Sequence, residues 1–220
     1  MQPLLLLLAF LLPPEPAIGV IIGGHEVRPH SHPYMALIQV PMKKMAKTCG
    51  SVLVELDVVL TAAHCWGRSI RVTLGAHDIL NQEWTWQVIP AKGAICHPDY
   101  IPNEYFSDIM ILKLERKAKL TAAVWSLILP RGTAQVRPRE VCRVAGWRLM
   151  ALKGIISNTL WEVELTVQQD QVCESCLHDH YNSTTLLCVG DLKERKTSSE
   201  GDTGRPLSYK NVIQGIALGG

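Results

Sequence analysis

Short apolar runs separated by turn residues recur at even spacing from residue 21 to the end of the chain. The runs are rich in Val, Ile, Leu and Thr and are bounded by Gly, Pro, Asn or Asp, which is the pattern of β-strands. The predicted strands cover residues 34–40, 51–55, 58–60, 71–74, 109–113, 141–145, 161–167, 186–189 and 212–217. Since no helical periodicity separates most of them, the pattern favours a β-barrel or a β-sandwich over a parallel βαβ sheet.

The composition is that of a globular chain with no marked charge. The chain has 220 residues, of which 47% are hydrophobic, and this is enough to fill a sizeable core. The formal net charge is only +2. This balance argues against a nucleic-acid-binding protein, which normally carries a strongly basic surface.

The N-terminus has the features of a secretory signal peptide. Residues 4–12 form an unbroken apolar run, which is too short to cross a bilayer and has the length of a signal-peptide core. A buried N-terminal helix is the weaker interpretation because three prolines follow between residues 13 and 16. Small residues at 17 and 19 place the cleavage between residues 17 and 20, and no later stretch is long enough to span a membrane.

Export through this route leads to an oxidising compartment, so the seven cysteines predict a disulfide framework with at least one cysteine left over. A zinc site at Cys173 and Cys176, near His178 and His180, is the weaker alternative in a secreted chain. We therefore expect no metal and no other cofactor.

Three segments carry residues suited to acyl transfer. Segment 60–65 (LTAAHC) places His64 at the end of an apolar strand, and segment 107–114 (SDIMILKL) places Asp108 at the start of another. A carboxylate there is costly to bury without a partner such as a histidine. Segment 201–207 (GDTGRPL) presents a hydroxyl, Thr203, in a glycine-rich turn whose N–H groups can point together at an anion. The order His, Asp, hydroxyl indicates a catalytic triad.

These segments, together with residues 21–24 (IIGG), resemble the trypsin-like serine proteases. Three further segments are similar to the granzyme, cathepsin G and mast-cell chymase subgroup: 28–36 (RPHSHPYMA), 72–77 (VTLGAH) and 115–119 (ERKAK). The resemblance implies an all-β fold of two six-stranded antiparallel β-barrels, with the active-site cleft between them.

The resemblance also assigns roles to the residues of the triad. His64 would act as general base and then general acid, and Asp108 would hold its tautomer. Thr203 stands at the nucleophile position. Gly201 and Thr203 would supply the backbone N–H groups of the oxyanion hole.

Members of this family mature by proteolysis, and the resemblance extends to that step. The new amino group of Ile21 would turn inward and pair with Asp202, which orders the oxyanion loop. The chain would then consist of a signal peptide (residues 1–19), a residual activation peptide (residue 20) and the protease domain (21–220).

The chain departs from the family at several positions. Thr203 replaces the nucleophilic serine, and its β-branch restricts χ1 in a tight turn. Arg205 replaces a glycine, so we expect that the turn shifts or that the guanidinium reaches solvent. Leu218 replaces the serine that would support Asp108. Family members continue through a last strand and a C-terminal helix, and we expect both to be truncated here.

The family pattern also implies which cysteines pair. Cys49 would bond to Cys65, and Cys173 would bond to Cys188. Tyr209 occupies the position of the partner that Cys142 has in the family. Cys96 and Cys176 have no family counterpart, and the sequence does not assign their pairing.

Two other positions bear on specificity and modification. Thr197 lies at the expected base of the specificity pocket, which disfavours cleavage after Lys or Arg. Asn182 begins an Asn-Ser-Thr glycosylation sequon.

Two functions stay open at this point. The first is a secreted or granule serine endopeptidase with severely impaired activity, monomeric, acting on protein or peptide substrates and inhibited by serpin-type proteins. The alternative is a non-catalytic pseudoprotease that acts as a binding protein, or the product of a decayed gene. No nucleic-acid partner and no membrane span are expected in either case.

Overall fold

The computed structural model describes residues 7–11, 24–42, 46–102, 106–130, 136–147, 150–151, 155–177, 181–190 and 203–218. Within these ranges the chain is almost entirely β-structure. The strands are β1 (Leu7–Leu11), β2 (His25–Glu26), β3 (Met35–Val40), β4 (Lys47–Glu55), β5 (Val58–Thr61), β6 (Arg71–Leu74), β7 (Gln87–Cys96), β8 (Met110–Leu114), β9 (Val141–Gly146), β10 (Met150–Ala151), β11 (Ile155–Ile156), β12 (Trp161–Val167), β13 (Leu186–Gly190), β14 (Pro206–Tyr209) and β15 (Val212–Ala217). One α-helix, α1 (Asp170–Leu177), and a 3-10 helix (Ala63–Cys65) complete the described elements.

The first half of the chain forms a closed six-stranded barrel in the order β3-β4-β5-β8-β7-β6. Every pairing in it is antiparallel. Inward-facing residues such as Ile38, Val52, Leu60 and Leu112 are almost fully buried. This barrel confirms the predicted all-β fold for the first half, and its strands end where the candidate site begins.

The second half forms a sheet in the order β13-β1-β15-β14-β9-β12-β2, with an additional pairing between β12 and β13. That pairing closes a ring of six strands, and β2 lies outside the ring on the edge of β12. The second sheet departs from the expected antiparallel barrel in one respect, because β1 pairs in parallel with both β13 and β15. The residues of β1 come from the predicted signal peptide.

The two halves share a hydrophobic core. Leu53 and Leu60 of the first barrel belong to the same buried cluster as Leu186 and Ile216 of the second sheet. Burying such side chains contributes about 1.5 to 3 kcal/mol each, so the halves are held together by packing across their junction. The candidate site lies along this junction.

All nine predicted strands are present, with small shifts at their ends. The sequence pattern did not predict β7, in which only Ile89 of ten residues is buried, nor β14, which begins at Pro206. It also did not predict the short helix α1. None of the helices that the structure describes is long and apolar enough to cross a membrane.

Candidate active site

His64 lies in the 3-10 helix that follows β5, at the mouth of the first barrel. A disulfide between Cys65 and Cys49 ties this helix to β4. The ammonium group of Lys47 donates a hydrogen bond of 2.7 Å to the carbonyl oxygen of His64. The backbone around His64 is therefore fixed on two sides, and its side chain stays 34% exposed. The sequence pattern did not indicate the contact of Lys47, because this residue belongs to no motif.

Asp108 lies two residues before β8 and is held against His64 by two contacts. One carboxylate oxygen, Oδ1, accepts a hydrogen bond of 2.8 Å from the backbone N–H of His64. The other, Oδ2, lies 2.5 Å from Nδ1 of the imidazole. Asp108 itself is only 3% exposed, so its charge faces the histidine and not solvent.

This arrangement determines what the imidazole can do. A carboxylate at Nδ1 favours the tautomer that carries its proton there, which leaves Nε2 with a lone pair. The same carboxylate stabilises the imidazolium that forms when Nε2 takes up a proton. The pair therefore has the geometry of a general base that can later act as an acid.

The turn that carries Thr203 is packed against β4 and β5. The carbonyl oxygen of Thr203 accepts a hydrogen bond of 2.9 Å from the N–H of Gly50, and the N–H of Gly204 donates one of 3.0 Å to Ala217. Gly204 has a φ of +81°, and a Cβ there would overlap the carbonyl oxygen of Gly50 and the hydroxyl of Thr61. The chain therefore brings the predicted nucleophile turn to the strand that leads to His64.

Arg205 is buried beside the turn that carries Thr203. Of the two expected outcomes, a shifted turn or a guanidinium in solvent, the second is not found, since Arg205 is 1% exposed. Its side chain fills the space beside the Cα atoms of Gly50 and Gly146, and it donates a hydrogen bond to the carbonyl oxygen of Trp147. The guanidinium does not reach solvent because Gly50 and Gly146 leave room for the side chain between the strands.

Burial changes the ionisation of this arginine. The low-polarity surroundings disfavour the charged form and lower the pKa of Arg205 to about 9. The guanidinium still carries its charge at neutral pH. A buried cation two residues after the candidate nucleophile is a constraint on the turn that a glycine would not impose.

Four predicted site residues lie outside the described part of the chain: Ile21, Thr197, Gly201 and Asp202. Their roles remain predictions. Asn182 of the sequon is exposed, and its Oδ1 accepts hydrogen bonds from the N–H (3.0 Å) and hydroxyl (2.7 Å) of Thr184. Leu218 is buried within the shared core.

The disulfides match the expected pairs. Cys49 is bonded to Cys65, and Cys173 is bonded to Cys188. The sulfur of Cys173 is therefore not available as a zinc-binding thiolate. Cys96 and Cys142 are not in disulfides, and burial raises the pKa of the Cys142 thiol to about 12.

The chain has two packed β-structures, with a buried aspartate hydrogen-bonded to a histidine at their junction. This combination is typical of the chymotrypsin-like class of proteins. Comparison with known families agrees. The family model described as Trypsin matches residues 21–220, and the chain belongs to this family.

Comparison with individual relatives shows which subgroup of the family the chain is similar to. It is 56% identical to human Granzyme B and 54% identical to human Granzyme H, in each case over 98% of this chain and 87% of the relative. It is 48% identical to mouse Cathepsin G over 98% of this chain and 82% of that protein. A solved structure described as "Structure of GrC" matches with a TM-score of 0.84 at 49% identity, covering 91% of this chain and 88% of the other. The chain is a granzyme-like homologue of the trypsin-family serine proteases.

Proposed function

We propose that this protein is a granzyme-like serine endopeptidase homologue whose peptide-bond hydrolysis is severely impaired at the nucleophile. The observation that carries the proposal is the His64–Asp108 pair, with its 2.5 Å contact and buried carboxylate. This pair is suited to proton transfer in acyl chemistry. The resemblance to granzymes supplies the reaction class.

In the proposed reaction, Nε2 of His64 takes the hydroxyl proton of Thr203 while the oxygen attacks the scissile carbonyl. The backbone N–H groups of Gly201 and Thr203 stabilise the oxyanion. His64 then gives the proton to the leaving amine, and a water molecule hydrolyses the acyl-enzyme by the same steps. Asp108 stabilises the imidazolium at both stages.

The surroundings of Thr203 support a slow nucleophile. Thr203 is 6% exposed, so its additional methyl group competes for space with buried neighbours. The hydrogen bonds to Gly50 and Ala217 hold the turn on both sides and oppose a backbone shift that would relieve the crowding. A misplacement of about 1 Å costs on the order of 10²-fold in rate. Arg205, buried two residues later, restricts the same turn further.

The proposed activation and specificity follow the family. Cleavage before Ile21 would release an amino group that pairs with Asp202, and the leader (residues 1–19) would direct the chain to a secretory granule or to the exterior. Thr197 at the pocket base disfavours basic residues at the cleavage position. We propose a monomer that acts on protein or peptide substrates and binds serpin-type inhibitors.

A second candidate function is a non-catalytic binding protein that retains a protease surface. The low exposure of Thr203 favours it, because a nucleophile must be reached by the substrate carbonyl. In this case the His64–Asp108 pair would be an inherited structural contact.

Turnover of a fluorogenic peptide panel separates the two functions. We expect Thr203→Ser to raise kcat/KM about 10²-fold over the wild-type chain, since it removes the crowding methyl and keeps the hydroxyl. His64→Ala in the Thr203→Ser background is the matched control and should return activity to the background level. Both the full chain and a chain beginning at Ile21 should be measured. A folded Thr203→Ser chain without turnover on any peptide would favour the binding protein.

A further inference from the structure

The side chain of Lys47 ends at the residue that carries the catalytic imidazole, although Lys47 belongs to none of the motifs that indicate a triad. Lys47 is the first residue of β4 and is in register with Val40 on β3. Its half-buried side chain donates the 2.7 Å hydrogen bond to the carbonyl oxygen of His64. The two residues are 17 positions apart, so the fold and not the local sequence brings them together.

This hydrogen bond satisfies a carbonyl at the end of a short helix. Inside the 3-10 helix, the carbonyl oxygen of Ala63 accepts the backbone N–H of Trp66. The carbonyl oxygen of His64 lies one residue later and accepts the ammonium group of Lys47 instead. The last carbonyls of a helix lack partners within it, and a cation is favourable at this end of the helix.

Both backbone polar groups of His64 are therefore bound to charged side chains. Its N–H donates a hydrogen bond of 2.8 Å to the buried carboxylate of Asp108, and its carbonyl oxygen accepts the ammonium of Lys47. Hydrogen bonds to a charged partner are about twice as strong as neutral ones. The two contacts hold the backbone on either side of the Cα atom from which the imidazole projects, and they limit the directions that the ring can take.

The disulfide between Cys49 and Cys65 joins the same two elements but acts on the next residue of the helix. Strand β4 thus holds the 3-10 helix at two points, one covalent and one through Lys47. If the ammonium of Lys47 is removed, the disulfide still ties the helix to the strand. The loss should then affect the position of His64 more than the stability of the barrel.

We propose that Lys47 is a positioning residue, which acts through the carbonyl group of His64 to hold the imidazole against Asp108 and towards the turn of Thr203. The effect on hydrolysis rests on the proposed function. A misplacement of about 1 Å costs on the order of 10²-fold in rate, and the remaining contacts of His64 limit the movement to less than this. We therefore expect loss of the ammonium to lower kcat about tenfold and to change KM by less than about twofold.

Proton NMR of the full chain tests the positioning without any hydrolysis. The reporter is the downfield resonance of the proton between Nδ1 of His64 and Asp108. Lys47→Met removes the ammonium and keeps an unbranched apolar side chain, and we expect this proton to exchange with water about tenfold faster. Lys47→Arg restores a charged donor and should keep the wild-type rate. Lys92→Met, which removes an exposed ammonium from β7, is the matched control and should leave the rate unchanged.

Kinetics in the Thr203→Ser background provide the second test. Lys47→Met should lower kcat about tenfold with KM nearly constant, and Lys47→Arg should restore most of kcat. Active sites are counted by titration with a fluorophosphonate, so that kcat refers to folded and competent molecules. A purely structural role would reduce the number of titrated sites and leave kcat per site unchanged.

The two tests separate this inference from the proposed function. An unchanged exchange rate in a folded Lys47→Met chain would overturn the positioning role, as would the absence of the resonance from the wild-type chain. An unchanged kcat per site in an active Thr203→Ser chain would also overturn it. If Lys47→Met does not fold, Lys47→Gln, which lacks the charge and is shorter, takes its place with the same expected results. If the resonance responds as expected but Thr203→Ser shows no turnover, the proposed function fails and the positioning of His64 stands.

Discussion

The unpaired Cys142 predicts that a third disulfide can be built into the second sheet by one substitution. Strands β9 and β14 are antiparallel, with Ser208 opposite Arg143. The next pair in that register places Tyr209 opposite Cys142, where Cα atoms lie about 4.5 to 5.5 Å apart. This separation falls within the range for disulfides. We expect Tyr209→Cys to bond to Cys142.

The size of the effect follows from the loop that the bond closes. Residues 142 and 209 enclose about 67 residues, for which the chain-entropy relation gives about 4 kcal/mol. The existing Cys173–Cys188 bond shortens this loop and changes the value little. Strain in the native state lowers such gains, so we expect Tyr209→Cys to exceed Tyr209→Ser by about 2 to 4 kcal/mol. The serine variant loses the same hydrogen bond of 2.7 Å to Glu140, and the comparison therefore isolates the disulfide.

Urea unfolding of the two variants, together with a thiol count and peptide mapping, measures this difference. The disulfide should remove two reactive thiols from the Tyr209→Cys variant, those of residues 142 and 209. Its unfolding midpoint should be higher than that of Tyr209→Ser. If Cys142 stays a thiol in the folded Tyr209→Cys chain, the register assigned to β9 and β14 is wrong.

Two further predictions concern pH and turn geometry. Burial lowers the pKa of His32 below its ordinary value of 6.5, in spite of its contact with Glu162. As the pH drops, the unfolded chain therefore takes up a proton at this histidine at a higher pH than the folded chain does. The free energy of unfolding then falls as the pH drops below 6.5. Thermal unfolding should show a smaller loss between about pH 7 and about pH 5 for His32→Gln than for the wild-type chain, and parallel losses would contradict the assignment. Gly204→Ala should lower the free energy of unfolding by more than about 3 kcal/mol, because its φ is positive and a Cβ meets backbone. Gly93→Ala is the control, because a Cβ there meets nothing within 4 Å, and it should change the free energy of unfolding by less than about 1 kcal/mol. If urea unfolding shows the same change for Gly204→Ala and Gly93→Ala, the described conformation of the turn at Gly204 is wrong.

The sequence predicted the strands whose side chains are regularly buried, because their apolar pattern records that burial. Strand β7 was not predicted, since nine of its ten residues are at least partly exposed and Pro90 and Gly93 interrupt it. Its place in the barrel depends on pairing with β6 and β8, which no local pattern specifies. Tertiary pairing decides such strands.

For the candidate site too, the sequence predicted some features and missed others. His64 and Asp108 were predicted to meet because each lies in a distinctive segment and a buried carboxylate requires a partner. The burial of Arg205 was not predicted, because it depends on Gly146 and Gly50 lying beside it in space.

Covalent labelling with a fluorophosphonate probe, with the modified residue located by mass spectrometry, tests the central claim most directly. The claim is that the His64–Asp108 pair is competent and that the threonine at position 203 limits the reaction. We expect rapid labelling of residue 203 in Thr203→Ser, much slower labelling in the wild-type chain, and none when His64→Ala is added to the serine variant. A folded Thr203→Ser chain that the probe does not modify would contradict the claim.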